Sequence, residues 1–333
     1  MVYSLKEKTF ITMCAFQRFK VSEGKEGMRL YMNVGIDLGG SHIGLGVVDK
    51  NGLILEKVEK RITIVEKKNI KKTIESYIIE NVEKWQQKYK LTNIGIAVPG
   101  TVKEGTVVKS VNLGLENYKI VDALQKEIKL PIVIKNDAKC AALGENAYGC
   151  LKKYTRSIFL TLGTGIGGAV IIDNKLLNTG DLPGCEFGHM IIEKNGILCN
   201  CGKKGCFERY ASMKALKNRL RKELNLDETT RGQVLLDKIR NNTKSNPDYN
   251  IIEKIIKEFI QSLAIGISNL INIFEPEAIG IGGSFVFFED ILLDRLKDYI
   301  ISNNLLFNPR KDIKIETAIL ENNAGIVGAS III

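Results

Sequence analysis

The sequence predicts an α/β protein built as two lobes with a cleft between them. Three observations point there. The chain has 333 residues, 44% of them apolar, enough to bury two cores. A pattern of strand, Gly-bearing turn, strand and strand occurs twice, near 33–58 and near 157–178, an echo of one supersecondary unit in two places. The final stretch, AGIVGASIII, is too apolar to stay exposed and must return to the first lobe. The expected division is a small lobe of about 33–137 plus 322–333 and a large lobe of 138–321.

The elements follow in order. NVGID, IGLGVVD and LILEKV are short strands joined by Gly-bearing turns, an antiparallel meander from Asn33 onward. Residues 66–90 set Ile70, Ile74, Tyr77, Ile78, Val82 and Trp85 on one helical face. NIGIAV is a strand stopped by Pro99-Gly100, and a helix near 120–129 leads to the strand PIVIKN. KCAALGENAYG continues as a helix with small residues on one side. In the second half SIFLTLG and GGAVIID are strands around 163–168, KLLN extends the meander, and helices fall near 211–225 and 251–273. EAIGIGGSF is a strand entering a Gly-rich turn, IKIETAIL is another strand, and NNAGIVGASIII closes as a helix.

Charge and cysteine usage narrow the function classes. Of the net charge of +10, residues 1–32 supply +3, from six Lys/Arg and three Glu. The remaining lysines lie mostly on amphipathic stretches such as 66–90, which is a solvated helix face rather than a nucleic-acid footprint. Seven cysteines, an odd number in a long chain, argue against a secreted disulfide framework. No run of 18 apolar residues is available to span a membrane, and the apolar stretch Thr9–Phe16 has no small-residue cleavage site after it. The expected compartment is the cytoplasm. Residues 1–32 match nothing else in the chain and read as a loose extension or a mis-assigned start, dispensable for folding and activity.

Three Gly-rich turns follow strands: Asp37-Leu38-Gly39-Gly40-Ser41, Gly163-Thr164-Gly165-Ile166-Gly167-Gly168 and Gly280-Ile281-Gly282-Gly283-Ser284. Glycine lets backbone N–H groups approach phosphate oxygens, and Ser or Thr hydroxyls add donors. One such turn serves any hairpin, whereas three at strand ends in both halves point to a phosphate-bearing ligand. A P-loop sequence is absent, and the strand after Gly163–Gly168 argues against a dinucleotide site. Asn136-Asp137 ends an apolar strand and opens a helix, so Asp137 is either a helix cap or a carboxylate at a substrate-binding sheet edge. Phosphoryl transfer to a hydroxyl needs such a carboxylate to accept the proton, and Asp137 is the candidate. His189, Cys199, Cys201 and Cys206 form a Cys3His set whose short spacings suit a tetrahedral structural zinc. The alternative is that one or two of these cysteines are simply buried.

Taken together these motifs resemble the ROK family (repressors, open reading frames, kinases) of the actin/hexokinase superfamily, over about Asn33 to Ser330. The likeness is most specific in Glu186-Phe187-Gly188-His189 and in Cys199-Asn200-Cys201-Gly202-Lys203-Lys204-Gly205-Cys206-Phe207-Glu208, which keep every fixed letter of E-x-G-H and C-x-C-G-x-x-G-C-x-E. The resemblance implies a two-lobed actin-like (RNase H-like) fold. It implies that Asp137 is the catalytic base and that Asn136, Glu186, His189 and Glu208 bind sugar, with Gly100 in a covering loop. It implies that Asp37, Gly39, Gly40 and Ser41 form the first phosphate motif, Asp37 handling Mg2+. Thr164 and Gly165 match the second motif, and Gly282 and Gly283 the adenosine side. Two departures stand out: Ser41-His42 where Thr followed by Lys or Asn is usual, and Gly184-Cys185 in place of the common Gly/Ala pair.

Within the family the sequence is most similar to bacterial glucokinases, because Ser110-Val111-Asn112-Leu113-Gly114 resembles their S-P-N-L segment and brings Asn112 into the sugar site. The expected activity is therefore ATP-dependent phosphorylation of the 6-hydroxyl of glucose, with Mg2+, a structural Zn2+, and a homodimer or dimer of dimers. N-acetylmannosamine, fructose and allose kinases are alternatives. A sugar-responsive repressor is a more distant one, since it needs a helix-turn-helix domain of some 60–80 residues ahead of the first strand. A sugar-binding protein without catalysis is set against the intact Asp137 and Gly turns.

Overall fold

A computed structural model describes residues 31–177, 184–308 and 314–332. The chain opens with the meander β1 (Tyr31–Leu38), β2 (His42–Val48) and β3 (Ile54–Arg61). The first strand starts two residues ahead of expectation, and Met32 is already core. Helices α1 (Ile64–Lys68) and α2 (Ile70–Gln86) follow. Thr63 and Glu66 form a reciprocal capping box that starts α1. Ile70, Ile74, Ile78, Val82 and Trp85 form the buried stripe of α2, which packs on one face of the sheet.

Next come β4 (Lys90–Val98), β5 (Thr101–Lys103), β6 (Thr106–Ser110), β7 (Leu115–Tyr118), α3 (Ile120–Leu124), β8 (Ile132–Asn136) and α4 (Asp137–Tyr148). Strands β5, β6 and β7 form a small antiparallel sheet of their own that the sequence pattern did not reveal. Its first hairpin turns on Glu104 and Gly105, both at positive φ, which is the two-residue turn that suits strand twist.

The second half repeats the plan. It contains β9 (Arg156–Leu162), β10 (Ile166–Ile172), β11 (Lys175–Leu176), α5 (Glu208–Ala211), α6 (Met213–Glu223), α7 (Gly232–Arg240) and α8 (Tyr249–Phe274). It closes with β12 (Ala278–Gly283), α9 (Glu289–Ser302), β13 (Lys314–Thr317) and α10 (Ala324–Ala329). The first large sheet has the order β3-β2-β1-β4-β8, the second β11-β10-β9-β12-β13. In each, an antiparallel meander of three strands is extended by two parallel strands, β4 and β8 beside β1, and β12 and β13 beside β9. The two five-stranded sheets therefore share one topology. Helices α7 and α9, unforeseen in the sequence, bury Leu235, Leu236 and Ile239, and Leu292, Leu293, Leu296 and Ile300, in the second core.

The C-terminal helix returns to the first sheet. Helix α10 lies against β1, β4 and α4. It comes so close that a Cβ on Gly35 would stand 1.9 Å from the Ile326 carbonyl oxygen, and one on Gly95 1.7 Å from that of Ala329. Only glycine permits this backbone-on-backbone approach. Helix α4 sits between α10 and β10, touching both halves. Near its far end Glu145, fully buried, accepts backbone N–H bonds from Cys150 (2.8 Å), Leu320 (2.8 Å) and Ile319 (3.3 Å). No helix among the described residues is long and apolar enough to cross a membrane. Residues 1–30 of the expected extension lie outside the described residues.

Candidate active site

Two cavities flank the N-terminus of α4, one lined by Asp137 and the other by Asn136. The larger, about 860 Å³, is lined from both halves by Asp37, Ser41, Asp137, Gly282 and Gly283, together with the 318–326 segment. The smaller, about 520 Å³, is lined by Pro99, Gly100, Asn112, Asn136, Glu186 and His189, with Thr101, Lys109 and Val111. Asn136 and Asp137 are consecutive, so one side chain faces each cavity.

Local chemistry fixes this pair. Asn136 is the helix cap: its Oδ1 accepts from the Ala138 N–H (3.0 Å) and the Lys139 N–H (3.3 Å). Its Nδ2 donates to the Gly100 carbonyl at 3.1 Å, which ties the loop after β4 to the helix start. The cap is thus supplied by Asn136, and the Asp137 carboxylate takes only the Ala138 N–H at 2.9 Å. Burial pushes the Asp137 carboxyl up to about 6; the Ala138 N–H opposes this, while Asp37 and Glu186 add to it by like-charge repulsion. Asp37, at the end of β1, is also raised to about 6, chiefly by burial, with Lys57 opposing and Glu59 reinforcing. Gly325 of α10 closes over it; a Cβ there would stand 2.6 Å from Asp37 Oδ2.

The turn after Asp37 is tight. The Gly39 N–H donates to the His42 carbonyl at 2.8 Å, and the Ile62 N–H to the Ser41 carbonyl at 2.9 Å. Gly40 faces Asn112, whose Cβ would lie 3.1 Å from a Cβ on the glycine, so the phosphate-type turn abuts the smaller cavity. Thr164 and Gly165 form the β9–β10 turn, closed by the Gly163 N–H to the Gly165 carbonyl at 3.0 Å. They line neither cavity. A Cβ on Gly165 would stand 2.5 Å from Glu208 Oε2, so this turn is packed against the Glu208 carboxylate.

Glu208 itself stands beside a metal-type cluster rather than in the lining of the smaller cavity. The ligand atoms of His189, Cys199, Cys201 and Cys206 all lie within 4.8 Å of one another. Cys199 Sγ is 3.8 Å from His189 Nδ1, and Cys201 Sγ is 3.5 Å from Cys206 Sγ. A tetrahedron of metal–sulfur bonds near 2.3 Å has edges of about 3.8 Å, so the four side chains can hold one metal ion. The loop is shaped for it by a Cys199 N–H to Lys203 carbonyl bond of 2.7 Å and by Gly202 and Gly205 at positive φ. Glu208 Oε1 lies 3.2 Å from Cys199 Sγ and 3.9 Å from His189 Nδ1. His189 therefore belongs to two places at once, with Nδ1 in the cluster and the ring at the smaller cavity.

The cavities also gather residues that the sequence reading left without a role. His42, Lys60 and Arg61 line the larger one beside Ser41, as do Glu321 and Asn322. For Arg61 the signal was available in principle, because it is the last residue of the strand that pairs with the one following the turn.

The chain is similar to known proteins in sequence and in fold. The chain is 31% identical over 317 residues to the glucokinase of Streptomyces coelicolor, covering 90% of this chain and 96% of that protein. It is 30% identical over 311 residues to the xylose repressor of Caldicellulosiruptor bescii, covering 89% and 76%. It superposes with a TM-score of 0.73, at 28% identity, on a ROK family glucokinase from Streptomyces griseus in complex with glucose and AMPPNP, covering 90% of this chain and 98% of that one. The family profile matches residues 33–333. With two sheets of one topology in an actin-like pair of lobes, and these matches over nearly its whole described length, the chain belongs to the ROK family.

Proposed function

We propose that the protein is an ATP-dependent hexose kinase that transfers the γ-phosphoryl group to the 6-hydroxyl of glucose. One observation carries the reading: Asp137 and its neighbour Asn136 face two different cavities from one helix start, so a single carboxylate stands where an acceptor and a phosphate donor would meet. The smaller cavity would take the sugar, held by Asn112, Asn136 and Glu186 and by the free nitrogen of His189, with Gly100 in the covering loop. The larger would take the nucleotide, with Ser41 and the Gly39-Gly40 turn at the phosphates and Gly282-Gly283 at the adenosine.

Asp137 would accept the hydroxyl proton. With a carboxyl raised to about 6 it is mostly ionised at neutral pH, yet is a stronger base than an ordinary aspartate. Asp37, half-buried and without an ion-pair partner among the described residues, suits a Mg2+ ion, which when bound would neutralise phosphate charge. We read the Cys3His cluster as a structural zinc, since four protein ligands leave no open position. Zinc on Nδ1 would leave the proton on Nε2, free to donate to a sugar hydroxyl.

The likeness to xylose repressors favours a second reading, in which the same pocket senses sugar without turnover. A coupled ADP-release assay over a panel of glucose, N-acetylmannosamine, fructose, allose and xylose separates the two. Sugar-dependent ADP release, greatest with glucose, is expected. Sugar binding without ADP release would refute the kinase.

A further inference from the structure

Three basic residues line the larger cavity, and all come from the β2–β3 edge next to Ser41: His42, Lys60 and Arg61. Their ion pairing differs. The Lys60 ammonium is taken by Glu66 at 2.8 Å. Glu59, the acid two residues before Arg61 on the same strand face, is taken by Lys57 at 2.7 Å. His42 and Arg61 stand directly opposite each other in the antiparallel register, and neither makes an ion pair among the described residues. The His42 imidazole lies over the phosphate-type turn itself, since a Cβ on Gly39 would stand 2.3 Å from its Cε1. One rim of a cavity that also presents Asp37, Glu59, Asp137 and Glu321 thus carries two donors that are in no ion pair, with Glu59 acting on His42 only at longer range.

We propose that Arg61 and His42 grip the phosphate tail of the donor nucleotide, and that Arg61 makes binding depend on the phosphates beyond the first. This rests on the kinase reading and adds donor selectivity to it. A guanidinium presents a planar fork of N–H donors that matches two phosphate oxygens, which a point-charge ammonium does not. The imidazole adds one further N–H donor from the turn. A polyanion entering beside Asp37 and Asp137 meets repulsion on one side, and Arg61 supplies the opposite charge on the other, with His42 adding a hydrogen-bond donor.

The test is calorimetric titration of MgATP and of AMP, without sugar, into the full chain and its variants. Arg61→Ala should weaken ATP by about tenfold to a hundredfold, the range for a hydrogen bond to a charged group, and leave AMP within about twofold. Arg61→Lys should recover part of the loss, and His42→Asn should show a smaller loss, again confined to ATP. Arg61 is an exposed strand-end residue, so the melting temperature should not move. Equal ATP affinity in Arg61→Ala and wild type overturns this inference alone, as does an equal loss for ATP and AMP. A wild-type chain that binds no nucleotide overturns it together with the kinase reading.

Discussion

Replacing Asp137 by Asn should stop turnover and, at neutral pH, make the protein harder to unfold. The carboxyl moves from its ordinary 3.8 to about 6 in the folded chain. At about 1.4 kcal/mol per unit, holding it ionised costs the fold about 3 kcal/mol. The sign follows from linkage. A raised carboxyl favours the folded state below the unfolded value, and that contribution is lost as pH climbs from about 4 through 6. Asparagine has nearly the same shape and no charge, and the cap of α4 is untouched because Asn136 supplies it. The variant should therefore gain up to about 3 kcal/mol at pH 8, or about 4 °C in melting temperature for a chain of 333 residues, and only about 0.5 kcal/mol at pH 4. Its turnover should fall by about 10²–10⁴-fold, the usual contribution of a general base. Thermal unfolding at both pH values, beside the coupled assay, checks all three. A melting temperature unchanged at pH 8, or raised equally at pH 4, would refute burial as the cause. A turnover loss under about tenfold would move the base elsewhere.

Other outcomes follow from the same site. The pH profile of kcat/KM for sugar should fall about tenfold per unit below pH 6, because Asp137 must be ionised to accept a proton, and level off above it; a flat profile from pH 5 to 8 would contradict this. Cys201→Ser should lower metal content, stability and sugar affinity together while sparing ATP affinity, because His189 joins the cluster to the smaller cavity; a folded, metal-free variant with normal sugar affinity would break that link. Glu145→Ala removes the acceptor of three N–H groups, of which that of Cys150 is buried, and chemical denaturation should show a loss of about 1–3 kcal/mol, with a raised KM for ATP. Gly35→Ala should destabilise similarly by displacing α10; wild-type stability there would mean the helix can shift at no cost.

Much of the architecture was legible because apolar period and glycine position are local signals. The meanders, the α2 stripe and the return of the C-terminal helix all follow from them. Strands β5, β6 and β7, only three to five residues long, carry too few alternations to stand out. Helix α9 begins directly after the apolar run Phe285–Phe288, which blurs its start. At the site, sequence could name Asn136-Asp137 but not decide which of the two caps the helix. That needed the third dimension, where Asn136 also reaches Gly100. Glu208 was expected at the sugar through resemblance, and it stands between the cysteine cluster and the Gly165 turn. Arg61 and His42 acquire meaning only from strand register, which joins residues nineteen positions apart.

Helix α4 behaves as a gauge. Asp137 opens it, and Glu145, eight residues and about 12 Å further along the axis, holds the segment that walls the larger cavity. The spacing between the proposed proton acceptor and the proposed donor platform is then a rod length rather than a property of loops. Any swing of the halves relative to each other would carry the two ends of that rod together. Closure can change what surrounds the reacting atoms without altering the interval at which they are presented.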